Sequence, residues 1–269
     1  MTYKGSMVYI IGGSSGIGLS IANQFVSQSA HVIIFARSKE RLELACRTLK
    51  QIASSDDQII SWLSLDASSR ESTNNVLSVA MTQFAPPNIL INCAGRAIPR
   101  KFEDISWEQF DETIRINLYS IWHAVSAVVP MMKQRGGYIV NVSSMAGFIG
   151  IYGYTDYSAS KFAIIGLSES LRSELMSFGI DVSVLCPPDT DTPGLQEENL
   201  TKPEETKAIS ANTKCLHPDQ VAKALLKGMK KKKFLIIPGI EGKLIHVMKR
   251  LFPSLVFRII QRSITKMTS

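Results

Sequence analysis

Met7-Val-Tyr-Ile-Ile11 is an apolar run of strand length that leads directly into Gly12-Gly13-Ser14-Ser15-Gly16-Ile17-Gly18. A helical pattern follows from about Gly16 to Gln28. Glycines let a backbone turn sharply and come close to a pyrophosphate, whose charge the free N–H groups of a helix start then stabilise. A glycine-rich turn alone is shared with ordinary tight turns; its place between a first strand and a first helix gives it weight. Gly12, Ser14, Ser15, Gly16, Ile17 and Gly18 are therefore candidate cofactor contacts.

Outward from this stretch, apolar runs alternate with helical patterns through residue 240. His31–Ala36, Ile59–Leu65, Asn88–Asn92, Gly137–Val142, Asp181–Leu185 and Phe234–Pro238 read as further strands, and Lys39–Ser54 as a helix. Near-continuous Ile/Val/Leu strands separated by helices imply a parallel sheet covered on both faces. The fold class is α/β, a doubly wound parallel sheet of about seven strands. One stretch breaks the alternation: 187–213 is polar, rich in prolines and acids and weakly periodic, and it follows a strand directly. It reads as a lid. The domain expected over 1–240 is followed by a basic extension over 241–269.

With 269 residues, 45% hydrophobic and 20% charged, the chain fits one α/β domain with a short appendage. Cys46, Cys93, Cys186 and Cys215 are far apart and lack metal-ligand spacing, which points to reduced thiols and no metal site. No signal peptide is read at Met1–Ser6, and no apolar run reaches the roughly 18 residues of a spanning helix. Ten of the 30 Lys/Arg residues but only one acid, Glu241, fall after residue 228. The body is slightly acidic and the tail strongly basic, so no nucleic-acid partner is expected.

The second strand ends Phe35-Ala36-Arg37. A dinucleotide fold that prefers NAD places an acid here, for the ribose 2′-hydroxyl. Ala36 offers none, whereas Arg37, with Arg41 one helical turn on, suits a 2′-phosphate. NADPH is the cofactor expected. Asp66 could bond the adenine amino group, and Asn92-Cys93-Ala94-Gly95 puts small residues where the cofactor passes, with Asn92 and Ala94 as candidate contacts.

Tyr157-Ser-Ala-Ser-Lys161 sets Tyr157 and Lys161 on one face of a helix. A phenol with a pKa of about 10 is a poor acid–base group, and a neighbouring ammonium is expected to lower it. Lys161 could also hold the ribose hydroxyls. Ser144, at a strand end, could polarise a carbonyl oxygen, and Asn117 could anchor a water that passes protons to Lys161.

In this combination and order the chain resembles the short-chain dehydrogenase/reductase family over roughly residues 5–240, through the glycine turn, Asn92–Gly95, Asn117, Val142–Ser144, Tyr157/Lys161 and the Pro187 region. The resemblance implies a Rossmann-type fold. It assigns Tyr157 as the acid that protonates the developing alkoxide, Ser144 as stabiliser of the substrate oxygen and Asn117 as the end of the proton relay. Pro187 and Thr192 carry over as cofactor contacts, and a homodimer or homotetramer is implied. Pro187-Pro-Asp-Thr-Asp-Thr-Pro-Gly194, Glu197-Glu-Asn-x-Thr-Lys-Pro-Glu-Glu-Thr206, Lys101-Phe-Glu-Asp104 and Phe162 are similar to the branch that reduces 3-ketosphinganine to sphinganine with NADPH. Asp189 or Asp191 is then a candidate for meeting the substrate amine. Two features depart from the pattern: Ile11 stands where a threonine is usual, and the hydrophobic N-terminal anchor of the eukaryotic sphingoid reductases is lacking.

On a helical wheel Leu244, Met248, Leu251, Phe252, Leu255 and Ile259 share one arc, with Lys249 and Arg250 off it, and Pro253 starts or kinks a helix. Such a basic amphipathic segment suits either a lipid interface or packing on the body or another subunit. A lipid-like ketone favours the interface, which implies a cytoplasmic protein peripheral at a membrane surface. Reduction of another lipophilic carbonyl (a 3-oxoacyl thioester, steroid or retinoid) is the alternative, and a non-enzymatic dinucleotide-binding scaffold stands behind both.

Overall fold

In the computed structural model the side chains of β1 (Met7–Ile11) are all buried, because neighbouring strands and helices enclose the strand on every side. The structure describes residues 2–210 and 214–268. β1 pairs in parallel with β2 (His31–Ala36) and, on its other side, with β4 (Ile89–Asn92). β3 (Ile60–Ser64), β5 (Gly137–Val142), β6 (Ile180–Leu185) and β7 (Leu235–Ile236) complete a seven-stranded parallel sheet in the order β3-β2-β1-β4-β5-β6-β7. The expected fold class holds.

The pleat sends alternate β1 side chains to opposite faces. Val8 and Ile10 join one core with Ile21 and Phe25 of α1 (Gly16–Val26), Leu42 of α2 (Lys39–Gln51), and Val221 and Leu225 from near the C-terminus. Tyr9 and Ile11 join the other, with Leu77 of α3 (Arg70–Phe84) and, from later helices, Val128 and Ile164. Ile11, unusual at its position, is thus an ordinary core residue. Each such side chain contributes about 1.5–3 kcal/mol when fully buried. After α4 (Trp107–Ile114) come α5 (Ser120–Met132) and α6 (Thr155–Leu175), which supply Val128 and Ile164 and so cover the same face as α3. A π turn, Arg115–Tyr119, joins α4 to α5.

The expected irregular lid contains two short helices, α7 (Pro193–Asn199) and α8 (Glu204–Ser210). Thr192 caps α7 by accepting the Leu195 N–H at 3.2 Å, with Pro193 in the first turn, where its missing N–H costs nothing. Glu205 of α8 receives Lys101 Nζ at 2.9 Å and the Tyr152 hydroxyl at 3.1 Å. Residues 211–213 of the expected lid lie outside the described residues.

α9 (Pro218–Lys230) returns the chain to the sheet. The last ladder is only two residues long, shorter than the expected Phe234–Pro238, because Pro238 has no N–H to extend it. α10 (Glu241–Leu251) and α11 (Pro253–Thr268) form the basic extension. The helix boundary at Phe252–Pro253 resets the phase of the apolar arc. Ile245, Val256 and Ile260 pack against the core, whereas Leu244, Leu251, Phe252 and Leu255 remain exposed.

Candidate active site

The strand order reverses between β1 and β4, and crevices at such points receive ligands beyond the strand C-termini. Gly12 has φ +83, and a β-carbon on it would lie 2.6 Å from Ala94 N and 2.8 Å from Cys93 C. The loops after β1 and β4 are therefore in backbone contact, closed by a residue that must lack a side chain. Ser15 caps α1 without a side-chain hydrogen bond, so the first N–H groups of that helix keep their capacity for an anion.

A cavity of about 830 Å³ opens from this turn. Gly12, Ser14, Ser15, Gly16, Ile17, Gly18, Arg37, Arg41, Asp66, Ala94, Pro187 and Thr192 all line it, as do Ser144, Tyr157 and Lys161. Arg37 and Arg41 are exposed and have no acidic partner among the described residues. Asp66 accepts from Ser68 N at 3.0 Å and Ser68 Oγ at 2.7 Å. A glycine cradle, uncapped helix N–H groups and two unpaired guanidiniums are the donor set that a phosphorylated dinucleotide needs.

Two expected contacts sit elsewhere. Asn92 lies behind the cavity wall, where its Nδ2 donates to Asn141 Oδ1 at 2.8 Å across the sheet. Asn117 is also outside the lining. Its Oδ1 accepts Arg96 N at 2.9 Å, and its Nδ2 donates to Arg96 O and Ser160 Oγ, both at 3.0 Å. That amide clamps the 95–96 backbone to α6.

α6 brings the reacting pair together. Lys161 Nζ sits 5.4 Å from the Tyr157 ring centroid and donates to Val142 O at 3.1 Å. The Ser144 hydroxyl hydrogen-bonds the Tyr157 side chain. Burial brings the Lys161 ammonium down to about 8. The flanking thiols of Cys93 and Cys186 are pushed up by burial, to about 11 and about 12.

Tyr157 itself is shifted upward, chiefly by burial and next by the Glu198 carboxylate, while the Ser144 hydrogen bond opposes both. This runs against the expectation that Lys161 makes the phenol more acidic: burial and the Glu198 charge lead, and Lys161 is not among the leading causes. A phenol that stays protonated is nonetheless the form that can give a proton to an alkoxide.

Three groups were not singled out from the sequence. Asp156 is buried and accepts Thr113 Oγ1 at 2.8 Å, Gln109 Nε2 at 3.1 Å and Tyr157 N at 2.7 Å, tying the start of α6 to α4. Tyr154 and Glu198 line the cavity beside Tyr157. Asp189 does so as well, but Asp191 is exposed outside the lining, its N–H bonded to Leu216 O.

The family model described as short chain dehydrogenase matches residues 6–203. The 3-ketodihydrosphingosine reductase of Bos taurus is 39% identical over 244 residues, 90% of this chain and 74% of that protein. A Dictyostelium discoideum protein of the same name is 37% identical over 260 residues, covering 91% and 78% of the two chains. Among solved structures, a short chain dehydrogenase/reductase from Burkholderia phymatum in complex with NAD matches with a TM-score of 0.83. It covers 95% of this chain and 96% of that one at 21% identity, a likeness of fold. On these grounds this chain is a member of the short-chain dehydrogenase family of oxidoreductases.

Proposed function

We propose that this chain reduces 3-ketosphinganine to sphinganine with NADPH. Two relatives that bear the name of that activity align over about nine-tenths of the chain. The observation that carries the reading is a continuous cavity. It runs from the glycine turn and Arg37/Arg41, past Ser144 and Tyr157, to walls built from Ile151, Leu195, Ile209 and Ile245. One end suits a 2′-phosphate and the other an alkyl chain, with the acid between them.

The bound cofactor supplies hydride. Ser144 holds the carbonyl oxygen, Tyr157 gives that oxygen its proton, and Lys161 holds the ribose and provides positive charge beneath the phenol. Asp156 and Asn117 hold α6 in register for both, as positioning residues.

Contact with a membrane surface belongs to the same reading. Glu241, Gly242 and Ile245 of α10 form part of the cavity wall. The same helix and α11 expose Leu244, Val247, Leu251, Phe252 and Leu255 beside Lys249, Arg250 and Arg258. An apolar face with a basic rim suits an anionic lipid interface, and here it adjoins the route by which a long-chain ketone would enter. No described helix is long and apolar enough to cross a membrane.

The test is NADPH oxidation by purified protein in liposomes, with 3-ketosphinganine set against a steroid ketone and a 3-oxoacyl thioester. The reading predicts the highest kcat/KM for 3-ketosphinganine; a clear preference for either other carbonyl replaces it with general lipophilic ketone reduction.

A further inference from the structure

The cavity beside Tyr157 holds a charged group that the hydride-transfer chemistry does not use. The Tyr154 hydroxyl donates to Glu198 Oε1. Lys202 Nζ lies 3.2 Å from the same carboxylate and 3.8 Å from Asp189 Oδ2, and the lysine side chain is only 3% exposed. Tyr154 and Tyr157 are themselves in ring contact, with centroids 5.7 Å apart. Glu198, Asp189 and Tyr154 face the cavity, while Lys202 stands behind them, outside the lining.

Two carboxylates thus share one buried cation, and a single negative charge remains on the cavity side. The other charged residues of the lining have other surroundings, except that Lys214 is two residues from Leu216, whose N–H bonds Asp189 O at 2.9 Å. Arg37, Arg41 and Asp66 surround the cofactor turn, Arg96 is paired with Glu112 at 2.6 Å, and Lys161 is buried beneath Tyr157. Lys214 and Glu241 complete the set. On balance burial, with the neighbouring Asp189 charge, raises the Glu198 carboxyl against the opposing pull of Tyr154 and Lys202, so a cation arriving from the cavity side would favour its ionised form.

We propose that Glu198, backed by Asp189 and Lys202, is the specificity-determining residue that receives a cationic amine on the carbon next to the substrate carbonyl. The assignment deepens the reading of the site as an amino-ketone reductase and rests on it. In 3-ketosphinganine the amine and the ketone are on adjacent carbons. A carbonyl held by Ser144 and Tyr157 therefore brings the ammonium towards the wall that Tyr154 and Glu198 form. An ammonium there completes the charge balance that Lys202 leaves half done, whereas a neutral ketone of the same length does not. Glu198 comes from α7, in the segment between β6 and α9, so selection for the amine is written on an element separate from the catalytic helix.

The experiment compares wild type, Glu198→Gln and Asp189→Asn on 3-ketosphinganine and on 1-hydroxyoctadecan-3-one, the same chain without the amine, in identical mixed micelles. NADPH affinity and the melting temperature are measured in parallel. Glu198→Gln is expected to raise KM for the amino ketone about tenfold, the scale of about 1.4 kcal/mol for one lost charge contact. Its KM for the neutral ketone should stay within about twofold, with NADPH affinity unaltered. Asp189→Asn should show the same selectivity with a smaller change, which keeps the proposal testable if the first variant folds poorly. Equal effects on both ketones, or none on either, would mean that the group merely straps α7 to the body and would overturn the proposal. Failure of the wild type itself to reduce the amino ketone would instead refute the underlying activity, and the proposal with it.

Discussion

Lys161 lies under the face of Tyr157, its ammonium 5.4 Å from the ring centroid and bonded to the Val142 carbonyl. Its burial between Cys93 and Cys186 brings its pKa from 10.5 to about 8. The unfolded chain therefore binds more protons than the folded one between those two values, and stability rises with pH across that window. Below it the buried charge costs up to about 3 kcal/mol, at about 1.4 kcal/mol per pKa unit. Lys161→Met should thus raise the melting temperature at pH 7 while abolishing turnover, with the gain shrinking towards pH 10. Thermal scans across pH read this directly. In the wild type, kcat/KM should fall on an alkaline limb near pH 8, as the ammonium is lost.

The guanidiniums of Arg37 and Arg41, exposed at the rim of the cavity, are unpaired among the described residues. Charge-assisted bonds to a phosphate are each worth about 1.5–3 kcal/mol. Arg37→Ala and Arg41→Ala should each raise KM for NADPH about tenfold or more and leave KM for NADH within about threefold. Steady-state kinetics with both nucleotides checks this; equal losses would place the arginines away from the 2′-phosphate.

Gly12 combines φ +83 with backbone atoms 2.6–2.8 Å from the position of a β-carbon. Backbone cannot yield as a flexible side chain would, and a non-glycine residue in this conformation is strained by about 1–3 kcal/mol. Gly12→Ala should force apart the loops after β1 and β4, weakening dinucleotide binding more than tenfold in a fluorescence titration. Gly150→Ala, where a β-carbon meets nothing within 4 Å, is the control that should change neither binding nor stability.

Asp156 ties α6 to α4 through Thr113 and Gln109. Asp156→Ala strands these buried donors at about 1–3 kcal/mol each and loosens the first turn of the helix that carries Tyr157. The predicted result is a fall in both melting temperature and kcat, with KM for NADPH nearly unchanged. Asp156→Asn, which keeps one acceptor, should lie between.

The sheet was legible because its strands are near-continuous apolar runs, which only a two-sided parallel sheet buries. The cofactor turn and Tyr157/Lys161 were legible because each motif is local in sequence. α7 and α8 were not, since seven-residue helices span two turns and show too little periodicity amid prolines and acids. Glu198 was hidden for the opposite reason. It is 41 residues from Tyr157, and only the fold of α7 over the cavity brings it near Tyr154. For Asn92 and Asn117 the sequence shows position but not the hydrogen bonds their amides make with Asn141, Arg96 and Ser160. In the tail, Pro253 starts a second helix, one of the two readings its sequence offered, and the break gives α10 and α11 separate faces, so the six residues placed on one apolar arc do not share one.

The tail gives its own prediction. Leu251→Glu with Phe252→Glu alters exposed side chains and should leave the fold and NADPH affinity intact. Sedimentation with anionic vesicles should fall at least fivefold, since two buried apolar side chains at about 1.5–3 kcal/mol each are lost from the interface. Unchanged sedimentation would separate α10 and α11 from any lipid surface.

The central claim is that the Tyr157 hydroxyl delivers the proton to the reduced carbonyl. Tyr157→Phe removes that one oxygen from a buried site and leaves Lys161 and Ser144 in place. With 3-ketosphinganine in liposomes and NADPH binding measured alongside, the account predicts a loss in kcat of about a thousandfold, within the range of a general acid, and NADPH affinity within about twofold of wild type. A variant that binds NADPH and still turns over within tenfold of the wild-type rate would contradict it.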